Sequence, residues 1–166
     1  MFKWILWAAV AALVVILVVM QRSAVKTSYV NGLPLYFNIP GHQFIFEQDC
    51  YIFKLTSHPT DWALVGTHGT VPELPVAFDL KNVGADFPGV RILDVARIGD
   101  RFKIVSVRRD VSRKGTSISF EILFTDEERR AYPRLDAFYI MDHGPEKTGQ
   151  APGILPYYAV PRVTRN

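Results

Sequence analysis

The chain holds a single cysteine, Cys50, so it can close no internal disulfide, and its cysteine usage says nothing about redox compartment. Glycine and proline are missing from the first thirty-one residues, and all eleven of each lie beyond them. Also absent are the Gly-x-Ser-x-Gly of an elbow-type serine hydrolase, a glycine-rich phosphate loop, a zinc-binding His-Glu-x-x-His, a Cys-x-x-Cys pair and an EF-hand loop. These gaps argue against enzymes and metalloproteins that announce themselves by motif, and no cofactor is expected. Net charge is nearly absent too. Lys3, Arg22 and Lys26 account for the formal +3, leaving sixteen Lys/Arg against sixteen Asp/Glu from Thr27 onward. A neutral domain has no global field to steer DNA or RNA, so nucleic acid is not expected as a partner.

What is present first is an unbroken run of seventeen apolar residues, Trp4 to Met20. As a helix it would be about 26 Å long, slightly short of a hydrocarbon core. Gln21 and a snorkelling Arg22 make up the difference. Trp4 and Trp7 stand one helical turn apart, suited to the headgroup boundary, with Lys3 beside them in water. The expectation is an uncleaved single-span signal-anchor over residues 1–22, in contact with the lipid bilayer through 4–20. A cleaved signal peptide fits poorly, because cutting after Ala24 puts Arg22 at the third position before the cut, and cutting after Gln21 puts Val19 and Gln21 at the critical sites. A buried core helix fits poorly as well, since the run has no polar face. Flanking positive charge is nearly tied between the two sides. The three-residue head resembles bacterial inner-membrane signal-anchors, which implies an inner (plasma) membrane protein with its domain on the exported side.

Residues 23–31 read as a short juxtamembrane linker and 32–166 as a β-rich domain with a Pro-rich C-terminal segment. Strands are predicted at Phe44 to Leu55, interrupted at Glu47-Gln48-Asp49, and at Trp62 to Val65. Val90 to Ala96 and Arg101 to Arg109 flank Gly99-Asp100 as a predicted hairpin. Thr116 to Phe124 has the cleanest period of two, with Ile118, Phe120, Ile122 and Phe124 on one face. Asp136 to Met141 and Ile154 to Val160 complete the set, the last demoted to an edge or tail by Pro156 and Pro161. One short helix is predicted from Thr125, a candidate N-cap with Glu128 three residues on, to the stop at Pro133. The fold class expected is mainly β: a small antiparallel sheet or partly open β-barrel, with one short helix and the N-terminal transmembrane helix.

Few residues invite chemistry. His42, His58, His68 and His143, with Cys50, Asp49 and Asp142, are the candidates for a metal or catalytic site. Gly144 and Pro145 forbid the helix that would align His143 with Glu146, and Cys50 sits in an aromatic strand where a buried thiol is ordinary. No catalytic or metal residue is therefore assigned. The most distinctive local feature is basic. Arg97, Arg101, Lys103, Arg108, Arg109, Arg113 and Lys114 face only Asp100 and Asp110, and four of them crowd one hairpin tip. Arg108, Arg109, Arg113 and Lys114 are the candidate contact with an anionic surface; Lys3, Trp4, Trp7 and Arg22 are the membrane-interface set. The function expected is a membrane-anchored, non-enzymatic β domain that binds a partner protein or supports an assembly. The alternatives are a tethered enzyme built from scattered His, Asp and Cys50, and electrostatic contact through the 108–114 hairpin.

Overall fold

The computed structural model describes residues 25–56, 62–112, 115–126, 135–143 and 150–162, together with Trp7, Val10, Ala12 and Leu13, whose backbone is helical. Most of the apolar run and all of Gln21 and Arg22 thus lie outside the described residues. Among the described residues no helix is long and apolar enough to cross a membrane.

Twelve strands are described: β1 (Lys26–Tyr29), β2 (Gln43–Phe46), β3 (Cys50–Leu55), β4 (Ala63–Gly66), β5 (Asp86–Phe87), β6 (Val90–Ala96), β7 (Arg101–Ser112), β8 (Gly115–Phe124), β9 (Leu135–Asp136), β10 (Met141–Asp142), β11 (Gly153–Ile154) and β12 (Ala159–Pro161). Ten form one sheet in the order β12-β2-β7-β8-β9-β4-β3-β6-β5, with β1 pairing β7 off that path, while β10 and β11 form a separate ladder. The sheet is larger than expected and mixed, not purely antiparallel, because β4 runs parallel to β9. It also does not close into a barrel; the path ends at β12 and β5. β12 at one end is the edge that Pro161 predicts. β1 falls inside the segment expected as a linker. The predicted helix after Thr125 lies mostly outside the described residues, and Thr125 itself is tied to β7 by its N–H donating to the Arg101 carbonyl at 2.9 Å.

One predicted pairing is overturned. Gly99-Asp100 is a turn, with Gly99 at φ +90°, but β6 and β7 are not neighbours. The Gly99 N–H donates to the Phe46 carbonyl and the Phe46 N–H to the Asp100 carbonyl, at 2.9 and 3.0 Å. The turn is therefore stitched to the end of β2, and β7 goes on to pair β2 instead of folding back on β6.

The chain divides into two compact units, Tyr29–Arg108 with Ile118–Asn166, and Met1–Ser28 with Arg109–Ser117. The larger holds two apolar clusters, one on each face of the sheet at β3, β4 and β6. Cys50 and Ile52 of β3 join the first cluster with Val65, Phe102, Phe120 and Phe124; Tyr51 and Phe53, pointing the other way, join the second with Leu64, Val71, Leu74 and Ile92. A bulge between β3 and β6, where Ile52 opposes Asp94 but Phe53 opposes Ile92, shifts the alternation by one residue. That shift is why Val90, Ile92 and Val95 all reach the second cluster. Tyr51 also pins the loop over this cluster. Its hydroxyl donates to the Ala77 carbonyl and accepts from the Asp79 N–H and Asn82 Nδ2.

In the smaller unit β1 lies along the outer part of β7. The Thr27 hydroxyl donates to Asp110 Oδ1 at 2.7 Å, and the Ser28 hydroxyl donates to the Arg109 carbonyl at 3.5 Å.

Candidate functional site

The alternation along β7 decides where its charges go. Phe102 and Ile104 face the first cluster, yet three residues on it is Val107 that does so. Past that change of phase, Ser106 and Arg108 face away from the cluster, on the side where β8 presents Ser119 and Glu121 and β9 presents Asp136. Register completes the arrangement: Ile122 opposes Leu135 and both enter the cluster, so Glu121 and its opposite number Asp136 share the other face.

The result is a polar network that the sequence does not announce. Arg108 ion-pairs with Asp136. The guanidinium carbon also lies 4.6 Å from the centroid of the Trp62 ring, a cation–π contact. The Ser106 hydroxyl donates to Glu121 Oε2, and Asp136 Oδ1 accepts the Phe138 N–H at 2.8 Å. Burial pushes the Asp136 carboxyl above the ordinary carboxylate range; the charge of Arg108, the Phe138 N–H and the nearby Ser119 hydroxyl pull it only part of the way back. Ser119, though close enough to bias Asp136, finds no hydrogen-bond partner among the described residues. With Asp136 2%, Ser119 3% and Ser106 7% exposed, these groups face one another and not solvent. Chemically, the network can hold three strands in register.

Arg108, expected at an anionic contact, is thereby committed to the interior. Its neighbour Arg109 is exposed, as is Lys26 on β1 in the same unit. Arg113 and Lys114 lie outside the described residues, as do Lys3, Trp4 and Arg22 of the membrane-interface set; Trp7 is described, helical and 71% exposed.

The residues considered for catalysis or metal binding have separate surroundings. Cys50 is fully buried, its thiol donates to the Gln48 carbonyl at 3.7 Å, and burial with the charge of Asp49 pushes its pKa up to about 12. His68 Nδ1 is 2.6 Å from the Leu74 carbonyl, and His143 Nε2 is 2.9 Å from that of Phe138. His42 lines a half-open cavity of about 400 Å³ with Gly41, Gln43, Phe44, Pro161 and Arg162, where Arg162 donates to Gln43 Oε1 at 3.2 Å. His58 lies outside the described residues. Among the described residues no three His, Cys, Asp or Glu side chains gather as a metal would require.

Sequence reading missed Trp62, Ser106, Ser119, Glu121 and Asp136 as a group. One signal was available: Asp136 is an acid inside an otherwise apolar stretch, Leu135 to Met141, and an acid there requires a partner. Comparison with protein families, with curated proteins and with solved structures found no match to this chain.

Proposed function

We propose that the chain is a membrane-anchored binding module: residues 4–20 tether it, and the β domain beside the bilayer contacts a partner protein or stabilises an assembly instead of carrying out a reaction. The observation that carries this reading is how the side chains are distributed. Of the groups considered for chemistry, Cys50 and Arg108 face inward and His68 and His143 lie against backbone carbonyls. Large apolar groups face out instead, with Ile98 64% and Tyr157 59% exposed. Exposed side chains of that size are ones a partner would cover. Tethering is supported by the unbroken run of apolar residues and by reach, since Lys26 follows Met20 by six positions and lies within about 21 Å of it along even a fully extended chain.

A second reading, contact with an anionic surface, is favoured by one observation. β1, which follows the apolar run so closely, hydrogen-bonds the part of β7 that carries Arg109. The contact set then becomes Lys26 and Arg109, joined in sequence by Arg113 and Lys114, and no longer includes Arg108.

The test begins with topology. Membranes from cells expressing the full chain are washed with alkaline carbonate, and intact cells carrying Lys114→Cys in a Cys50→Ala background are treated with an impermeant thiol reagent. Retention in the pellet and labelling before lysis are expected. Release by carbonate overturns the anchor, and labelling only after lysis overturns the exported orientation. A photoreactive side chain at Ile98 or Tyr157 then tests binding, with a discrete protein adduct expected; lipid adducts alone overturn the partner-protein reading.

A further inference from the structure

No Asp, Glu, Lys or Arg stands between Lys26 and Glu47. In the middle of that stretch lies Asn31-Gly-Leu-Pro-Leu-Tyr-Phe-Asn-Ile-Pro-Gly41, which folds as consecutive turns. The turns are internally bonded: the Leu33 N–H donates to Val30, those of Tyr36 and Phe37 to the Leu33 carbonyl, and that of Ile39 to Tyr36, all at 2.9 to 3.0 Å. Both ends are fastened to β7, where Val30 donates to the Val107 carbonyl, Asn31 Oδ1 accepts the Val107 N–H, and Gly41 donates to the Ile104 carbonyl. Tyr36 is buried in the first cluster and Ile39 packs against it.

The other large apolar side chains of the turn stay outside the cluster. Leu33, Leu35 and Phe37 are 45, 41 and 64% exposed on a segment held at both ends and through its middle. A loop that only connected β1 to β2 would gain nothing from three large apolar side chains held in water. The absence of charge matters as much, because lowering a charged side chain into an interface costs what this segment never has to supply.

We propose that this turn is a second membrane contact, with Leu33, Leu35 and Phe37 inserted among the headgroups and upper acyl chains of the bilayer that holds the anchor. The occupant is lipid and not protein because the turn carries no charge and because of reach: Leu33 follows the end of the apolar run by thirteen residues, four of them in β1, and so stays within about 45 Å of it along even a fully extended chain. Two attachments, one through the apolar run and one through the turn, would fix the orientation of the domain and not merely its distance from the membrane. The proposal rests on the anchor reading and adds to it the docking of the domain itself.

The full-length chain with Cys50→Ala and Phe37→Cys, labelled with the environment-sensitive dye NBD, is reconstituted in vesicles of equimolar phosphatidylcholine and phosphatidylglycerol. Val76→Cys, on a different exposed loop, is the comparison, and Leu33→Cys repeats the measurement at a second point on the turn. The expected result is blue-shifted emission at positions 33 and 37, with quenching by shallow doxyl-lipids several-fold stronger than at position 76. Equal quenching at all three positions, or water-like emission at 33 and 37, overturns the proposal. If emission at 37 is blue-shifted in native membranes but not in protein-free vesicles, the occupant is a protein and the lipid assignment is wrong. Carbonate washing of the same vesicles separates the two readings: retained protein with an unquenched dye defeats the docked turn alone, whereas released protein defeats the anchor and the turn together.

Discussion

Arg108 and Asp136 form an ion pair in which the guanidinium side chain is 12% exposed and the carboxylate 3%. Neither charge is solvated well enough to stand without the other, so the pair matters most when half of it is removed. Arg108→Met should cost about 3 to 5 kcal/mol near pH 7, because Asp136 is left buried and uncompensated. Replacing both by Met and Leu should recover much of that loss. Urea unfolding in detergent micelles measures both, and a single variant as stable as wild type would show that the pair contributes little.

The pH dependence carries its own sign. Asp136 has a carboxyl pKa raised in the folded state, so the folded form binds the proton more tightly than the unfolded one. Its contribution to stability is therefore fully present below the ordinary carboxylate range and is lost as pH rises through the raised value. Arg108→Met removes the largest opposing influence and should enlarge that acid gain, while Asp136→Asn should abolish it. Unfolding midpoints compared between pH 7 and pH 5 decide the matter; equal pH slopes in all three proteins would contradict it.

Cys50 should be inert in the folded protein. With its pKa pushed up to about 12 and no exposed surface, almost no thiolate is present at neutral pH to attack a maleimide. Labelling should appear only in denaturant. Cys50→Ala should cost about 1 kcal/mol for the small group removed, which leaves it usable as a labelling background. Rapid native labelling would place the thiol at the surface.

Phe102 lies between Phe44 and Phe46, with ring centroids 5.4 and 4.7 Å away. Phe102→Ala should destabilise by about 3 to 5 kcal/mol, since the strands around it cannot collapse into the space. Tyr157→Ala, at a position 59% exposed, should change stability by less than about 0.5 kcal/mol. Chemical denaturation of the two side by side is the check.

Gly66 is a different kind of sensitive position. An added Cβ would meet Thr70 Oγ1 at 3.0 Å, Tyr139 Cβ at 3.3 Å and Phe53 Cε1 at 3.4 Å. Gly66→Ala should therefore cost about 1 to 3 kcal/mol by overpacking, and Thr70→Ala should relieve part of it. A double variant no more stable than Gly66→Ala would locate the strain elsewhere.

The strands were legible where alternation was strict. Ile118, Phe120, Ile122 and Phe124 are all buried on one face as read, Val90 to Ala96 is matched to the residue, and Glu47-Gln48-Asp49 is the break between β2 and β3. Pairing was not legible, because it depends on hydrogen bonds between segments far apart in sequence. Gly99-Asp100 has the residues of a hairpin, and the backbone of Phe46, more than fifty residues earlier, turns it to another use. The polar network failed for a related reason. A period-two reading carried from Phe102 through Ile104 puts Arg108 on the core face, and nothing local marks the change of phase that sends it to Asp136. The histidines were weighed as companions by type, but His68 and His143 each find a nearer backbone carbonyl.

The position of β12 sets an order of events during synthesis. Phe46 lies opposite Ala159 across the β2–β12 ladder, so β2 cannot gain that neighbour until more than a hundred further residues have left the ribosome. The parallel pair of β4 and β9 imposes a similar delay on Ala63, which waits for Leu135. Long-range pairings of this kind slow folding and leave apolar strands uncovered meanwhile. If residues 4–20 enter a bilayer as proposed, the nascent chain would spend that interval with Phe44 and Phe46 unshielded near lipid, and a chaperone acting on it would have to work at the membrane surface.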